Sequence, residues 1–280
     1  MMDVAILGAG GNMGRRISRG LHGNRSYRLH LIERSDRGRA LIEEAGGQVT
    51  AAEDGLAAAD VVVFAIPDKI SRHVAAEVLP TLRAGTSILF LDPAVIASGR
   101  VAEVPELNCF VVHPTHPPLY SLLGEDAAEA RRDYWGGGLA RQSLVFAKAW
   151  GSEDAAARVE QLAQAMFAPV TDCHRITVHQ MAMLEPALTE TLTNGCIALI
   201  KEGMERVIAQ GVPERATRDF LMGHLQIGIA IIFDQLDWRL SDGAALALEQ
   251  SKEQLFREDW HTIFNEENLQ ASLRAITGGD

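Results

Sequence analysis

Residues 3–21 read Asp3-Val-Ala-Ile-Leu-Gly-Ala-Gly-Gly-Asn-Met-Gly14-Arg-Arg-Ile-Ser-Arg-Gly-Leu21, so that an apolar run, a glycine-rich turn and a helical pattern follow one another directly. Met13, Ile17 and Leu21 recur every four residues, which is the spacing of one apolar helix face. Glycine lets the backbone come close to a pyrophosphate, and the free N–H groups at the start of a helix attract its negative charge. The stretch therefore predicts the opening strand, turn and helix of a dinucleotide-binding fold.

Short apolar runs alternate with helical stretches through the first half of the chain. Such runs are typical of strands that are covered on both faces, and their alternation with helices favours a parallel sheet. We expect an α/β fold in which a Rossmann doubly wound parallel sheet is followed by a mostly α-helical C-terminal domain. The predicted strands lie at residues 3–7, 28–33, 48–51, 59–67, 86–92, 109–113 and 142–146.

The second half of the chain is mostly helical in pattern. Thr177 is a suitable N-cap for a long helix that ends at Gly211, and Pro186 within that helix is expected to kink it. We expect an NAD-binding Rossmann domain over residues 1–172 and a helical domain for substrate binding and dimerisation over residues 173–280. The helices carry more apolar residues than a small domain can bury, which favours a homodimer. The other predicted segments are an extended piece at 169–172 and helices at 214–233, 242–258 and 265–276.

The choice of dinucleotide depends on the end of the second predicted strand. Glu33 stands there, nineteen residues after Gly14. A carboxylate at this point accepts hydrogen bonds from ribose hydroxyls and repels a 2′-phosphate, which favours NAD over NADP. Arg34, Arg37 and Arg39 favour the opposite choice, because arginine binds phosphate. The residues expected to contact NAD are Gly8, Gly10, Gly11, Asn12, Met13, Gly14, Glu33, Pro67 and Asp68.

Two histidines mark the place where the chemistry is expected. The sixth predicted strand runs into His113-Pro-Thr-His-Pro-Pro118. Proline limits the freedom of this loop, and histidine either accepts a proton near neutral pH or binds a metal through a neutral ring nitrogen. In a doubly wound sheet, the nicotinamide and its substrate would meet at such a strand end. The alternative is a rigid surface turn whose histidines hydrogen-bond to the backbone.

The long helix offers an acidic partner to these histidines. Glu185 directly precedes Pro186 and follows the apolar residues Met183 and Leu184, where an acid is costly unless it is paired or bound to a metal. A solvated helix face is the alternative for Glu185. Asp92, at the end of the fifth predicted strand, is expected to border the same cleft, and residues 120–134 are expected to shape the substrate pocket.

The composition argues against several classes of protein. The chain has 26 Lys and Arg against 37 Asp and Glu, a net charge of −11, which disfavours nucleic acid and anionic lipid as partners. The longest apolar run, near Ile227–Phe233, is far shorter than a membrane span, and no signal peptide precedes the first strand. Three scattered cysteines form no disulfide pattern, so we expect a cytoplasmic protein. The expected partner is a small molecule.

Five segments carry a resemblance, namely Ala5–Gly14, Val61–Asp68, His113–Leu119, Leu184–Pro186 and Phe220–Leu225. Together they resemble the D-apionate oxidoisomerase family, within the 6-phosphogluconate dehydrogenase-like and ketol-acid-type oxidoreductases. The resemblance covers nearly the whole chain. The β-hydroxyacid dehydrogenases of that superfamily use a lysine on the long helix with an asparagine four residues later. Here the only lysine of that helix is Lys201, with Glu205 four residues later, so we expect another residue to be the general base.

The resemblance implies an NAD-dependent oxidation of a branched sugar acid coupled to a rearrangement. D-apionate would be oxidised at its C2 hydroxyl, its carboxylate would migrate to the neighbouring carbon, and 3-oxo-isoapionate would form. The resemblance also implies a divalent metal, with zinc as the expected ion, bound by His113 and Glu185. His116 and Glu185 are the expected catalytic residues, with His116 as general base, although the two histidines can exchange roles. A simple NAD(P)-dependent 2- or 3-hydroxyacid dehydrogenase and a non-catalytic NAD sensor are the alternatives.

Overall fold

The computed structural model describes residues 1–120 and 128–279 and contains a central seven-stranded sheet. Its strands are β1 (Met2–Leu7), β2 (Tyr27–Ile32), β3 (Val61–Phe64), β4 (Ser87–Phe90), β5 (Asn108–Pro114), β6 (Gln142–Trp150) and β7 (Val170–Ile176). They are ordered β2-β1-β3-β4-β5-β6-β7. Neighbours from β2 to β5 are parallel, β6 is antiparallel to β5, and β7 is parallel to β6. The expected Rossmann α/β fold is confirmed, with its last two strands reversed in direction.

Helices follow most of the strands and then make up the C-terminal part. They are α1 (Asn12–Gly20), α2 (Asp36–Glu44), α3 (Ala52–Ala58), α4 (Asp68–Val78), α5 (Ala94–Ala97), α6 (Glu153–Met166), α7 (Val178–Ala182), α8 (Asn194–Ala209), α9 (Glu214–Ile232), α10 (Asp242–Leu255) and α11 (Glu266–Ile276). A π-helix, Met183–Thr193, joins α7 to α8, and short 3₁₀ segments lie at Leu79–Thr81, Ala130–Arg132 and Trp260–Phe264.

The sheet has an apolar core on each of its faces. In β1, Val4 and Ile6 belong to the core on the face of α1 and α6, whereas Ala5 and Leu7 belong to the core on the face of α4 and α5. Because successive strand residues point to opposite faces, a strand covered on both sides must be apolar throughout. The continuous apolar runs of the sequence therefore arise from burial on both faces.

Two predicted extended segments differ from the structure. Residues 48–51 form only an isolated bridge, between Leu31 and Val49, because a turn with Gly46 in the left-handed region precedes them and α3 follows directly. The piece predicted at 169–172 is the start of the longer strand β7. This strand lies at the edge of the sheet and exposes several polar side chains, so it lacks the apolar run that marks the inner strands.

The predicted long helix after Thr177 is a continuous helical segment with a change of geometry inside it. Thr177 and Gln180 form a capping box at the start of α7. Pro186 lies in the π-helix, whose wider hydrogen-bonding pattern accommodates a residue that lacks an N–H group. Thr191 donates its hydroxyl to the carbonyl of Pro186 at 2.7 Å, which gives that carbonyl a partner. The kink expected from Pro186 is therefore a π-helical turn.

The chain forms two compact units. One comprises Met1–Glu185 with Gln270–Asp280 and contains the sheet, and the other comprises Pro186–Leu269 and contains α8, α9 and α10. The second unit buries few of its own residues, namely Pro186, Ala187, Met204, Ala230 and Leu269. Among the helices of the described residues, none is long and apolar enough to cross a membrane.

Candidate active site

The carboxyl ends of β1 to β5 lie at one edge of the sheet, because these five strands are parallel. Gly8 follows β1 and Glu33 follows β2. Pro67 comes shortly after β3, Asp92 comes after β4, and His113 lies near the end of β5. Ligands of open α/β sheets bind at this edge. The fold thus brings the predicted cofactor residues and the predicted chemical residues to one side of the sheet.

A cleft of about 560 Å³ opens beside the glycine-rich turn. Its lining includes six of the predicted cofactor residues, which are Gly8, Gly10, Gly11, Asn12, Glu33 and Pro67. Helix α1 begins directly at this cleft, with Gly11 as its N-cap and without a side-chain cap. The first N–H groups of the helix are therefore available for an anionic ligand such as a pyrophosphate.

Two glycines of the turn are required by its geometry. Gly8 has a φ of 76°, in the left-handed region, and a Cβ there would lie 2.5 Å from the carbonyl oxygen of Ala65. Gly14 does not line the cleft; a Cβ on Gly14 would lie 2.3 Å from the carbonyl oxygen of Gly8, so this glycine allows α1 to pack on the turn. The irregular glycine spacing of the sequence therefore follows from two separate close contacts.

Glu33 is held in the cleft by hydrogen bonds. Its Oε2 accepts from the N–H of Gly10 at 3.0 Å, and its Oε1 accepts from the N–H and the hydroxyl of Ser35 at 2.9 Å each. Burial raises the pKa of Glu33, but the bonds from Ser35 and Gly10 outweigh it and set the pKa below its ordinary value. Glu33 is therefore a carboxylate at neutral pH, as an acceptor for ribose hydroxyls must be.

The substitution Glu33→Gln is expected to weaken NAD binding about tenfold or more and to reduce the preference for NAD over NADP. Glutamine keeps the shape of the side chain but removes the charge, and hydrogen bonds to a charged group contribute roughly 1.5–3 kcal/mol. Titration of each dinucleotide measures the change. Glu44→Gln, on the exposed end of α2, is the matched control. A native protein that already prefers NADP would contradict this interpretation of Glu33.

A second cleft, of about 460 Å³, lies at the ends of β3, β4 and β5. It shares Gly11, Asn12 and residues 65–67 with the first cleft, so the two adjoin. Its ionisable lining comprises three carboxylates and two imidazoles, which are Asp68, Asp92, Glu185, His113 and His116. A dinucleotide whose pyrophosphate binds at α1 would therefore direct its reactive end toward these groups.

His113 is oriented by the backbone. Its Nδ1 lies 2.8 Å from the carbonyl oxygen of Leu91, and because a carbonyl only accepts, Nδ1 carries the proton. In the neutral ring Nε2 then presents its lone pair, and Nε2 lies 3.5 Å from Oε2 of Glu185. An imidazole whose other nitrogen is fixed by a carbonyl is typical of a metal ligand. A cation placed between Nε2 and Oε2 would be able to contact both atoms.

Asp92 completes a cluster with His113 and Glu185. The three offer ligand atoms that all lie within 4.8 Å of one another. Burial raises the pKa of Asp92 to about 7, the charge of Asp68 adds to this rise, and the N–H of Ala94, 2.7 Å from the carboxylate, opposes it. Burial also raises the pKa of Asp68. Such crowding of acids disfavours the charged forms unless a cation compensates them, and the donor set fits a divalent metal.

His116 lines the second cleft with its ring centre 6.3 Å from that of His113, and its backbone is in a constrained conformation. Its φ is 60°, in the left-handed region that residues other than glycine seldom adopt. Its Nδ1 lies 3.3 Å from the carbonyl oxygen of Trp135, and the two rings are 5.1 Å apart. Burial lowers the pKa of His116, although the hydrogen bond to Trp135 opposes this shift. The ring is thus neutral near pH 7 and its Nε2 is able to accept a proton.

Every residue predicted for the site lines one of the two clefts except Gly14, which packs against the glycine-rich turn. Met13 and Asp68 line the second cleft and not the first. Asp68 is also the first residue of α4, so its carboxylate stands at a helix N-terminus. Sequence reasoning placed Asp92 at the cleft but not in a ligand set; its position directly after a buried strand was the available signal. Residues 121–127, part of the expected pocket segment 120–134, lie outside the described residues.

Together, the dinucleotide cleft and the adjoining histidine and carboxylate cluster define a Rossmann-type oxidoreductase. Residues 2–120 match the family described as acetohydroxy acid isomeroreductase, NADPH-binding domain. Residues 124–277 match the family described as phosphogluconate dehydrogenase (decarboxylating) C-term. These two matches agree with the predicted superfamily.

Relatives over the full chain narrow this class to one family. A D-apionate oxidoisomerase from Cupriavidus necator is 40% identical over 98% of this chain and 99% of its own length, and one from Rhizobium rhizogenes is 38% identical over 99% and 100%. The chain belongs to the D-apionate oxidoisomerase family. A crystal structure of a semialdehyde dehydrogenase NAD-binding protein from Cupriavidus necator, in complex with calcium and NAD, has a TM-score of 0.94 and 39% identity over 99% of this chain and 100% of that chain. These similarities confirm the predicted family and an NAD-binding oxidoreductase.

Proposed function

We propose that the protein is an NAD-dependent oxidoisomerase that converts D-apionate into 3-oxo-isoapionate. The observation that carries this proposal is the cluster of His113, Asp92 and Glu185 beside the dinucleotide cleft. A hydride transfer alone needs a base and a cofactor, whereas a subsequent ketol rearrangement also needs a group that polarises the new carbonyl. The names of the relatives, which cover almost the full chain, support the same substrate.

The reaction divides into an oxidation and a rearrangement. In the first step the C2 hydroxyl loses its proton to a base and its C2 hydride to NAD, which leaves a 2-oxo-3-hydroxy acid and NADH. In the second step the C3 hydroxyl loses its proton, a C3 substituent moves with its bonding electrons to C2, and the former carbonyl oxygen gains a proton. The migrating substituent of a ketol shift comes from the hydroxyl-bearing carbon. In D-apionate that substituent is a hydroxymethyl group, so we assign the migration to this group and not to the carboxylate.

We assign the base role to His116 and the metal-binding role to His113. His113 presents Nε2 to Glu185 at 3.5 Å, and Asp92 and Glu185 offer carboxylate oxygens close enough to share a cation with it. His116 is not part of this cluster among the described residues, and its Nδ1 lies at the carbonyl of Trp135. The lowered pKa of His116, which burial causes, keeps its ring ready to accept the hydroxyl proton.

A divalent metal fits the donor set of His113, Glu185 and Asp92. One imidazole nitrogen with two carboxylates favours zinc over calcium, because calcium prefers oxygen ligands alone. When bound, the metal would polarise substrate oxygens as a Lewis acid. The described lining of the second cleft contains three carboxylates and no Lys or Arg, so an anionic sugar acid needs a cation to offset these charges.

NADH formation from NAD and D-apionate tests the proposal directly. We expect absorbance of NADH to rise with the native enzyme, to stop when a chelator removes the metal, and to return when zinc is restored. An enzyme that binds NADH but gives no signal with D-apionate, with or without zinc, would discard the substrate and favour the NAD-sensing alternative. Full activity after exhaustive chelation would remove the metal from the reaction.

We also propose a cytoplasmic homodimer whose helical domain, residues 173–280, contributes to dimerisation. The second compact unit exposes large apolar side chains while it buries few residues of its own, and a second copy of the same helices would cover them. The three cysteines, all described, are unpaired, which suits a reducing compartment. The most exposed apolar residues of this unit are Ile197, Phe220, Ile232, Phe233, Trp238 and Leu255.

The expected mass of the native protein in solution is twice that of the chain. Light scattering after gel filtration measures this mass, and a dilution series shows how tightly the two copies associate. Because large apolar surfaces are involved, we expect the dimer to persist at micromolar and lower concentrations. A stable monomer at micromolar concentration would contradict the proposed dimer and leave the exposed helix faces unexplained.

A further inference from the structure

We propose that Arg16 is a positioning residue, which holds the turn at Trp135 and Gly136 and thereby fixes the place of the His116 ring. The inference rests on the proton-accepting role proposed for His116. Arg16 belongs to α1, the helix that starts at the dinucleotide cleft, but it does not line either cleft. Its contacts with the site therefore run through other residues, while its charge also lowers the pKa of His116 through space.

Arg16 is anchored deep in the protein by directed hydrogen bonds. Its side chain is buried, with 5% of the residue exposed. Nε donates to the carbonyl of Gly136 at 3.0 Å, and Nη2 donates to Oε1 of Gln142 at 2.7 Å. Gln142 in turn donates to the carbonyl of Phe167 at 2.8 Å. This network ties α1 to a turn more than a hundred residues later in the chain.

The guanidinium also lies between two aromatic rings. Its Cζ is 5.2 Å from the ring centre of Trp135 and 5.0 Å from that of Phe167. Trp135 lies against His116, with ring centres 5.1 Å apart, and its carbonyl oxygen receives the Nδ1 hydrogen bond of His116. Arg16 thus contacts the residue that touches His116 and bonds to the carbonyl of the next residue along the chain.

The turn is built around the guanidinium. Gly136 has a φ of 75°, and a Cβ there would lie 2.5 Å from Nη2 of Arg16, so only glycine fits. The carboxylate of Asp133 accepts the N–H groups of Gly137, Leu139 and Ala140, which closes the remainder of the turn. The part of the turn at Gly136 is held by Arg16, so it will loosen when the Arg16 side chain is replaced.

Packing alone does not account for an arginine at this place. Burial of a charged group is costly, and an apolar side chain between Trp135 and Phe167 would avoid that cost. Burial lowers the pKa of Arg16 to about 10, so the group is still charged at neutral pH, and Asp133 supports this charge. Among the described residues, Nη1 of Arg16 has no hydrogen-bond partner. Unlike an apolar residue, arginine has a planar guanidinium whose N–H groups fix the Gly136 carbonyl. The neighbouring carbonyl of Trp135 is fixed with it.

Three variants test the proposal. Arg16→Met keeps a long side chain that can contact the rings of Trp135 and Phe167 but removes the guanidinium and its hydrogen bonds. Arg16→Lys keeps the charge. Arg158→Met removes the same charge from an exposed position of α6 and is the control. For each variant we compare kcat and KM with D-apionate, the Kd of NADH, and the fluorescence anisotropy of Trp135. The signal of Trp135 is obtained as the difference from the same protein carrying Trp135→Phe.

For Arg16→Met we expect kcat to fall about 100-fold, because a displacement of about 1 Å at a catalytic group costs this much. The Kd of NADH should change less than about twofold, and Trp135 should become more mobile. Arg16→Lys should lie between Arg16→Met and the native enzyme, and Arg158→Met should match the native enzyme.

Two results would overturn the proposal. The first is an unchanged kcat in Arg16→Met, and the second is a loss of kcat that is matched by an equal loss of NADH affinity, since that pattern indicates general damage to the domain. Should Arg16→Met fail to fold, Arg16→Lys decides by the same readouts. An enzyme that is inactive on D-apionate would refute the proposed function. The anisotropy of Trp135 needs no substrate, so it would still report whether Arg16 holds the turn.

Discussion

His116→Ala is expected to lower kcat with D-apionate about 100- to 10,000-fold, the range for loss of a positioned general base. His116 lies in the second cleft with Nδ1 at the carbonyl of Trp135, so its Nε2 is the nitrogen that meets the hydroxyl proton. NADH binding should change much less than kcat, because His116 is absent from the first cleft, where the glycine-rich turn and Glu33 lie. Steady-state kinetics and an NADH titration measure the two effects, and His22→Ala, at an exposed position, serves as the control.

The pH dependence of kcat/KM gives an independent check on the same residue. As pH falls, His116 gains a proton and loses its capacity as a base, so activity should decline on the acidic side. Burial lowers the pKa of His116 below its ordinary 6.5, so the midpoint of the decline should lie below that pH. Native-like kcat in His116→Ala would show that the two histidines have the opposite roles or that another group accepts the proton.

His113→Ala and Glu185→Gln are each expected to abolish the chelator-sensitive activity, with a loss greater than about 100-fold. His113→Ala removes one ligand atom from the cluster, and Glu185→Gln replaces a charged ligand with a neutral one, so each weakens the binding of a cation. Zinc content after dialysis, measured by elemental analysis, should fall in parallel with activity. Asp92→Asn should weaken zinc binding as well if Asp92 is the third ligand.

Glu202→Gln is a suitable control for Glu185→Gln, because Glu202 lies on α8 and pairs with Arg206 on the surface. The control should keep both its zinc and its activity. Loss of activity in Glu185→Gln without any loss of zinc would indicate that Glu185 serves in proton transfer alone. Retention of both properties in His113→Ala would contradict the proposed metal site.

Much of the site could be predicted because it follows strand ends. Gly8, Glu33, Pro67 and His113 each come at or shortly after the end of an apolar run, and parallel strands collect such positions at one edge. The same logic placed Asp92 at the cleft. Its part in a ligand set could not be predicted, because that depends on the register of β4 against β5 and on where Glu185 returns to the sheet.

The features that the sequence did not reveal depend on distant contacts. Arg16 and Gly136 are 120 positions apart, and neither belongs to a recognisable motif. Strand β7 carries polar residues because it is an edge strand, so apolar periodicity failed to mark its full length. The π-helix at Pro186 was foreseen only as a kink, because a proline shows that the regular pattern must change without showing which pattern replaces it.

Carbon NMR of the product formed from D-apionate and NAD is the most direct test of the central claim. Rearrangement places one hydroxymethyl group on C2 and leaves the other beside a ketone at C3, so we predict two distinct hydroxymethyl signals. Oxidation without rearrangement leaves both hydroxymethyl groups on C3, where they are equivalent and give one signal. Two signals would support the oxidoisomerase, and a single signal would show that the protein is a simple hydroxyacid dehydrogenase.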